Sequence, residues 1–205
     1  MRIKALVRPL SNAVLCAALL SQLGGCVFAV AGAAVSGAVA TADRRTIGTQ
    51  TEDQGIEIKA AGRVPTVAGP GSHVNVTSYN RKVLVTGEVR DDAAKRAVEA
   101  EVRSIASVEN VMNELEVSGA SSYTSRSSDA LITSKVKISL ADKKTVSANS
   151  FKVVTERGTV YLMGLVTQRE GNIAAQVAQG VSGVMRVVKM FEYISEEDVR
   201  AQAPQ

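Results

Sequence analysis

The chain contains an internal repeat, which limits the fold more than any other feature of the sequence. Residues 73–89 align with residues 150–166 at a spacing of 77, and apolar positions and glycines coincide although few residues are identical. Beyond the helix predicted after each segment the spacing becomes 76, which aligns Ile105 with Val181. Two copies are too few for a solenoid, which needs about three or more repeats to bury a continuous core. The repeat therefore predicts two small domains of similar structure.

Each copy has the sequence pattern of a β-hairpin, a helix and a third strand. Two short runs rich in β-branched residues flank a turn at 79–82, and the second copy repeats them around Gly158. Apolar residues at helical spacing follow in both copies, and third strands are predicted at about 110–117 and 184–194. The predicted fold class is α+β, with a three-stranded mixed sheet packed on one or two helices in each domain.

A further helix is predicted in front of the second hairpin, at 129–141, with Ser127 or Ser128 as its N-cap. Apolar residues at positions i, i+4 and i+8 are expected to pack on the sheet: Ile132, Val136 and Leu140. The first copy shows no clear equivalent, because its candidate at 52–62 is short and the Pro- and Gly-containing residues 63–72 are typical of a loop. We therefore expect the first domain to be the less stable of the two.

Three glycines are predicted to be structural. Gly158 lies in the second hairpin turn, while Gly87 and Gly164 lie at the end of a predicted strand, just before a helix. A positive φ or a close approach of another backbone explains a glycine there better than contact with a ligand does.

The N-terminus has the layout of a bacterial lipoprotein signal peptide. Three basic residues precede an apolar run at 13–20, and Leu-Gly-Gly-Cys follows, ending at Cys26. We expect cleavage before Cys26, which then carries covalent diacylglycerol and an N-acyl chain of the palmitate type. Several chains are needed, because each buried CH₂ contributes only about 0.8 kcal/mol to anchoring. Since Val27 rather than Asp follows the cysteine, resemblance to lipoprotein sorting predicts an outer-membrane protein that faces the periplasm.

Two other interpretations of this segment stay open. One is an ordinary signal peptide with a chance cysteine. The other is an uncleaved membrane anchor, since the segments at 13–20 and 27–42 together are long enough for the roughly 20 apolar residues that a membrane helix needs. Gln22 and the glycine pair before Cys26 interrupt that run, which favours cleavage.

These features divide the chain into six parts. We predict a signal peptide at 1–25, a lipidated cysteine with a Gly/Ala-rich tether at 26–45, a first domain at 46–118, a linker at 119–127, a second domain at 128–195 and an acidic tail at 196–205.

The charge of the mature chain argues against a nucleic-acid partner. Loss of the signal removes three of the 24 Lys and Arg residues, which leaves 21 basic against 20 acidic residues. The charge is unevenly placed, because residues 43–118 carry 10 basic and 12 acidic residues whereas residues 119–195 carry 10 and 5. The second domain is therefore the one that an anionic surface attracts.

Catalysis finds no support in the residue types present. The single histidine, His73, stands beside a Gly-rich loop, and no cluster of His, Cys or Asp has the spacing of a metal site. Both cysteines fall in the signal or at the lipidation site, so no disulfide is predicted either. We predict a monomer that is not an enzyme, with no metal and no cofactor besides the covalent lipid.

The repeated hairpin, helix and strand resemble the BON domain, and the closest likeness is to outer-membrane lipoproteins with two such domains. The segments that carry the resemblance are residues 45–50, 132–136, 155–170 and 181–187. The resemblance implies a non-enzymatic protein that binds anionic phospholipid, such as phosphatidylglycerol or cardiolipin, through the first helix of its second domain. It also implies a role in envelope integrity, location at cell-division sites and association with the outer-membrane protein assembly machinery.

Carried over to this sequence, the resemblance assigns phospholipid binding to the helix at 129–140 and the residues after it. The assigned residues are Leu131, Ser134, Lys135, Lys137, Ile138, Lys143 and Lys144. The chain departs from the family in having Leu131 where a relative has Trp, and it contains no Trp at all. An aromatic ring suits the membrane interface better than Leu does, so this departure bears on the depth of insertion and on the affinity. The alternative is that these lysines only form a solvated face of the helix and bind no lipid.

Two functional hypotheses follow from the sequence. The first is a lipid-binding module, tethered by Cys26 and directed to anionic membrane by the basic helix of the second domain. The second is a periplasmic adapter that contacts the assembly machinery for outer-membrane proteins, with its lipid affinity incidental. The positive second domain favours the first hypothesis, and the acidic first domain leaves room for the second.

Overall fold

The structure is a computed structural model of the chain, and it describes residues 43–202. The predicted signal peptide, Cys26 and most of the predicted tether lie outside these residues. None of the described helices has the length and apolar character needed to span a membrane.

The described residues form two copies of one unit, followed by a short helix. The first unit contains α1 (Ile47–Ala68), β1 (His73–Tyr79), β2 (Lys82–Val89), α2 (Asp92–Arg103) and β3 (Asn110–Val117). The second contains α3 (Tyr123–Ala141), a 3-10 turn (Ala148–Ser150), β4 (Phe151–Glu156), β5 (Thr159–Val166), α4 (Gln168–Gln179) and β6 (Arg186–Tyr193). The last helix is α5 (Glu196–Gln202).

Each unit has a three-stranded mixed sheet, which confirms the predicted α+β class. The sheet orders are β1-β2-β3 and β4-β5-β6, with the hairpin pair antiparallel and the last strand parallel to the central one. The parallel pairing requires the chain to cross over, and α2 or α4 makes that connection.

Two helices cover one face of each sheet. In the first unit the core lies between the sheet and α1 and α2, and in the second unit it lies between the sheet and α3 and α4. Ile132, Val136 and Leu140 of α3 are at most 5% exposed, as their spacing predicted.

The first helix of the first unit is longer than predicted. The prediction of a loop at 63–72 is wrong for residues 63–68, which belong to this helix. Although Pro65 removes one backbone donor, the helix continues to Ala68. Val64 and Ala68 are at most 3% exposed, and their burial offsets the cost of the proline. Ile56 and Val64 align with Ile132 and Leu140 at the repeat spacing of 76, so the repeat includes this helix. The first domain was expected to be the less stable one because it lacked a clear equivalent of this helix. Since the helix is present, that reason no longer holds.

α3 also begins earlier than predicted. Ser122, rather than Ser127 or Ser128, is its N-cap, and its hydroxyl accepts a hydrogen bond from the backbone N–H of Ser125. The serine-rich residues 121–128 have low helix propensity, which hides these first turns in the sequence.

A buried aspartate in the first helix of each unit holds the hairpin turn. Asp129 accepts hydrogen bonds from the backbone N–H groups of Arg157 and Gly158, both at 2.9 Å. Asp53, which aligns with Asp129, accepts from Asn80 and Arg81 at 2.8 Å. All four turn residues have positive φ, as a two-residue hairpin loop of type I′ requires. The carboxylates stabilise a conformation that is costly for residues other than glycine.

Close approach explains the glycine in the central strand of each sheet. Gly87 has a φ of 114°, and a Cβ there would lie 2.0 Å from the carbonyl oxygen of His73. A Cβ on Gly164 would lie 2.6 Å from the carbonyl oxygen of Ser150. Any side chain at either position therefore pushes the hairpin strands apart.

The faces of the two sheets that carry no helix pack against each other. Four buried residues form the centre of this apolar seam: Tyr79, Leu84, Tyr161 and Met163. Ion pairs surround it, among them Lys82 Nζ with Glu192 at 2.6 Å and Lys152 Nζ with Glu57 at 2.8 Å. The two units therefore form one packed body.

Two arginines before α1 are fixed in this body. Arg44 makes a bidentate ion pair with Glu170 in the second unit, at 2.7 and 2.8 Å. Arg45 pairs with Asp53 at 2.7 Å and lies over the ring of Tyr79. Of the last two residues of the tether predicted at 26–45, Arg44 is thus held by the second unit and Arg45 by the first.

Candidate membrane-binding surface

α3 is anchored to its sheet along one side only. Ile132, Val136 and Leu140 enter the core, and Asp129 holds the hairpin turn at the same side of the helix. The hydroxyl of Thr133 donates to that of Thr155 at 2.7 Å, which adds a polar contact to β4. The opposite side of the helix is left facing solvent.

Two large apolar side chains lie on this solvent side. Leu131 is 63% exposed and Ile138 is 62% exposed. They are seven residues apart, which places them on one face of the helix two turns from each other. Exposed Leu and Ile residues are common singly, but a pair aligned on one helix face is a candidate contact surface.

The predicted polar residues of α3 lie around this pair. Ser134 and Lys135 are exposed and lie between Leu131 and Ile138 along the helix. Lys137 is also exposed and lies to one side of this apolar pair around the helix axis. The Ser134 hydroxyl donates to the carbonyl of Ala130 at 3.0 Å, so its hydrogen bond is made within the helix.

Lys143 and Lys144 follow the C-terminus of α3 and are exposed. Within residues 43–200, none of the four lysines at 135, 137, 143 and 144 forms an ion pair with a carboxylate. By contrast, Lys82 and Lys152 are each paired with a glutamate across the seam. The charge of the α3 lysines is therefore available to a ligand.

We call the set formed by Leu131, Ser134, Lys135, Lys137 and Ile138, together with Lys143 and Lys144, the α3 face. The structure places five of these residues on one exposed helix and the other two immediately after it. All seven residues are those assigned to phospholipid binding from the sequence, and that role stays a prediction.

Sequence reasoning missed one aromatic residue near this face. Tyr123, in the first turn of α3, is 83% exposed, and the guanidinium of Arg126 lies 4.7 Å from its ring centroid. Tyr123 precedes Leu131 by eight residues, which turns it by about 80° from Leu131 around the helix axis. No local pattern indicated it, because the serines at 121–128 lower the helix propensity of this segment.

Sequence profiles match the chain twice. The family described as BON domain matches residues 51–119 and 128–195. Each match contains one three-stranded sheet and its helices except for the first turn or turns of α1 or α3.

Two curated proteins resemble the chain over most of its length. It is similar to Outer membrane lipoprotein DolP of Haemophilus influenzae, with 38% identity over 174 residues that cover 84% of this chain and 90% of the relative. It is also similar to the 21 kDa hemolysin of Actinobacillus pleuropneumoniae, with 30% identity over 154 residues that cover 74% of this chain and 79% of the relative.

Solved structures resemble the chain only weakly. The C-terminal domain of CdsD, a structural protein of the type III secretion system of Chlamydia trachomatis, has a TM-score of 0.29 and 11% identity, covering 74% of this chain and 100% of that domain. A second CdsD structure has a TM-score of 0.26 and 14% identity, covering 76% and 99%.

Proposed function

The chain belongs to the BON-domain family, and from this premise we propose that it is an outer-membrane lipoprotein whose α3 face binds anionic phospholipid. In this proposal Cys26 carries the covalent diacylglycerol and N-acyl chains, and the folded part faces the periplasm. Phosphatidylglycerol and cardiolipin are the anionic phospholipids that we expect it to bind. The protein supports envelope integrity by binding and has no enzymatic activity of its own.

The single observation that carries the proposal is the composition of the α3 face. Two exposed apolar side chains, Leu131 and Ile138, lie on a helix whose other side is fixed in the core. The exposed Lys135 and Lys137 lie beside them on the helix, and Lys143 and Lys144 follow its C-terminus. Apolar side chains with flanking lysines are the combination that an anionic membrane interface binds, because the chains insert between headgroups while the ammonium groups contact phosphates.

The expected affinity comes from several small contributions. Each lysine near an anionic surface contributes about 1 kcal/mol. Insertion of Leu131 and Ile138 adds, for each side chain, at most the roughly 1.5–3 kcal/mol that its full burial provides. Because the charges act through solvent, the binding should weaken as salt shortens the Debye length from about 10 Å at 0.1 M.

The missing tryptophan lowers the expected depth of insertion. Leu131 lacks the polar edge that lets an aromatic ring remain at headgroup level. Tyr123 offers such a ring at the beginning of the same helix, 83% exposed and beside Arg126. We propose that Tyr123 supplies part of the interfacial contact that Leu131, lacking an aromatic ring, does not provide.

A protein-binding role is the second candidate, and α1 favours it. Ile47 is 76% exposed and Ile58 is 69% exposed, and their spacing of 11 residues places them on one face of the helix. They belong to the domain with more acidic than basic residues, which an anionic membrane repels. A protein partner, such as a component of the outer-membrane protein assembly machinery, fits this face better than lipid does.

Co-sedimentation with vesicles tests the first candidate. We use the soluble fragment 41–205, which holds both hydrophobic cores and lacks the acyl anchor. We expect it to sediment with phosphatidylglycerol or cardiolipin vesicles at low salt, less at moderate salt, and not with neutral vesicles. The double substitution Leu131→Glu with Lys135→Glu should remove binding without unfolding, because both side chains are exposed.

The first domain provides a matched control. Ile58→Glu with Lys59→Glu makes the same change of one apolar and one basic residue on an exposed helix face. This control should bind vesicles as the unmodified fragment does. Intact binding by the α3 double variant would contradict the lipid proposal, and a crosslinked protein partner lost only in the α1 variant would favour the second candidate.

A further inference from the structure

Three side chains with metal-ligating atoms meet at one end of the seam between the two sheets. They are His73 at the start of β1, Glu88 in β2 and Glu156 at the end of β4, and one ligand atom of each lies within 4.8 Å of the others. Alternate residues of a strand share a face, so these three point toward the seam as Tyr79, Leu84 and Val154 do. They are far apart in sequence, which is why no spacing pattern indicated them.

The two carboxylates are almost completely removed from solvent. Glu88 is 0% exposed and Glu156 is 7% exposed. Burial raises the pKa of Glu156, although a hydrogen bond from Asn75 at 2.9 Å opposes that rise. Buried carboxylates are normally compensated by a positive charge or by hydrogen bonds, because an uncompensated buried charge is costly.

The protein itself compensates this cluster incompletely. Among the described residues, Glu88 Oε1 and His73 Nδ1 are buried atoms that make no hydrogen bond. The other carboxylate oxygen of Glu88 accepts from the backbone N–H of Ser121 at 3.0 Å and lies 3.3 Å from His73 Nδ1. Acceptor capacity therefore remains at the centre of the cluster.

The guanidinium of Arg157 approaches Glu88, but its shorter contacts are with Ser118 and Glu116. Its Nη1 donates to the hydroxyl of Ser118 at 3.0 Å and lies 3.1 Å from Glu116 Oε2. The same atom is 3.8 Å from Glu88 Oε1, which is beyond hydrogen-bonding distance. The Arg157 side chain is 42% exposed, so solvent screens its effect on the buried carboxylates.

We propose that His73, Glu88 and Glu156 bind one divalent transition-metal ion of the Zn²⁺ type between the two BON domains. Imidazole nitrogen and carboxylate oxygen are ligands that Zn²⁺ takes at about 2.0–2.2 Å. At those lengths two ligands of a tetrahedral ion lie roughly 3.3–3.6 Å apart, and His73 Nδ1 is 3.3 Å from Glu88 Oε2. A small movement of Glu156 completes a three-residue set, with water at the fourth position.

Such an ion has a path to the site and a structural effect. The His73 side chain is 19% exposed and lines a surface groove between α1 and β1, which gives access from solvent. Because two ligands come from the first domain and one from the second, the bound ion holds the domains together. This property does not depend on membrane binding by the α3 face.

The test is metal binding by the full chain, purified without an affinity tag in detergent micelles. His73 is the only histidine of the chain, so the carbon-bound ring protons of one residue report directly on the site in NMR spectra. We expect equilibrium dialysis against Zn²⁺ to give one equivalent per chain, and the His73 ring signals to shift to saturation in the same titration.

Substitutions identify the ligands. His73→Gln and Glu88→Gln should each lower the affinity at least about tenfold, which is the smaller loss seen when even a supporting residue of a metal site is changed. Glu192→Gln is the matched control, because Glu192 also lies at the seam but pairs with Lys82. That variant should bind as the unmodified chain does.

Several results would overturn the proposal: no stoichiometric Zn²⁺, His73 ring signals that do not move, or unchanged binding by His73→Gln. Circular dichroism checks that each variant is folded. If Glu88→Gln fails to fold, the His73→Gln variant and the ring signals of the unmodified chain still decide the question, since His73 lies at the edge of the seam.

Discussion

At the scale of single residues, the aspartates that hold the hairpin turns are the least expected feature of the fold. Asp53 and Asp129 occupy the same position of the repeat, and each accepts two backbone N–H groups from a turn with positive φ. In the sequence they are only acidic residues near the beginning of the candidate helices at 52–62 and 129–141. The contact between a helix and a turn 28 residues later becomes visible only in three dimensions.

Substitution of Asp129 tests this role. Asp129→Ala leaves two N–H groups without their acceptor in a buried position, so we expect it to lower the free energy of unfolding by about 2–4 kcal/mol. Urea unfolding of fragment 41–205 measures the change. Asp142→Ala removes an exposed carboxylate at the end of the same helix and should change stability little. Equal losses in the two variants would contradict the role assigned to Asp129.

At the scale of elements, the sequence predicted best where local signals agree with packing. Thr167 and Glu170 have the spacing of a capping box in the sequence, and in the structure they satisfy each other's backbone N–H groups at the start of α4. The first helix of the first unit was predicted too short, since Gly55, Gly62 and Pro65 lower its local helix propensity. Burial of Ile56 and Val64 overrides that propensity, and no local signal reports such a long-range contribution.

The ion pair at the start of α4 predicts a pH dependence. Burial of Glu170 opposes its ionisation, but the Arg44 guanidinium and the Thr167 backbone N–H outweigh that effect and hold the pKa of Glu170 below its ordinary value. A carboxyl with a lowered pKa stabilises the fold above its unfolded-state pKa, near 4.3. That stabilisation disappears as the pH falls through the folded-state pKa.

We therefore expect Glu170→Gln to cost about 2 kcal/mol of unfolding free energy at pH 7 and progressively less below about pH 4. Urea unfolding of both proteins across this pH range measures the difference. Glu197→Gln, an exposed position in α5, serves as the control and should have little effect at any pH. A cost for Glu170→Gln that does not change with pH would exclude the ion pair as its source.

At the scale of the whole molecule, the sequence predicted two similar domains but not the way in which they pack. The seam residues Tyr161 and Met163 appeared only as apolar members of a strand. Their partners, Tyr79 and Leu84, come from the other copy. Nothing in a single sequence shows which sheet faces meet. The α3 face comes from one helix and the residues after it, so it could be assigned by resemblance. The cluster of His73, Glu88 and Glu156 combines residues of both domains, so it could not be predicted from the sequence.

A charge placed in the seam should separate the domains. Met163 is 1% exposed, so Met163→Lys buries an unpaired ammonium group at a cost of several kcal/mol unless the sheets move apart. We expect a larger hydrodynamic radius and urea unfolding in two steps instead of one. Met185→Lys, at a position 83% exposed, is the matched control and should keep both properties. A single transition in Met163→Lys at an unchanged radius would contradict the seam.

Entry of the α3 face into the membrane surface changes the environment of its side chains, and the fluorescence of a single tryptophan placed there reports that change. The chain has no tryptophan, so Ile138→Trp in fragment 41–205 carries the only indole, and Ile58→Trp is its matched control on α1. With phosphatidylglycerol vesicles at low salt, we predict a shift of the Ile138→Trp emission to shorter wavelength that added salt reverses. The Ile58→Trp emission should stay that of an indole in water. An Ile138→Trp spectrum unchanged by these vesicles would contradict the account.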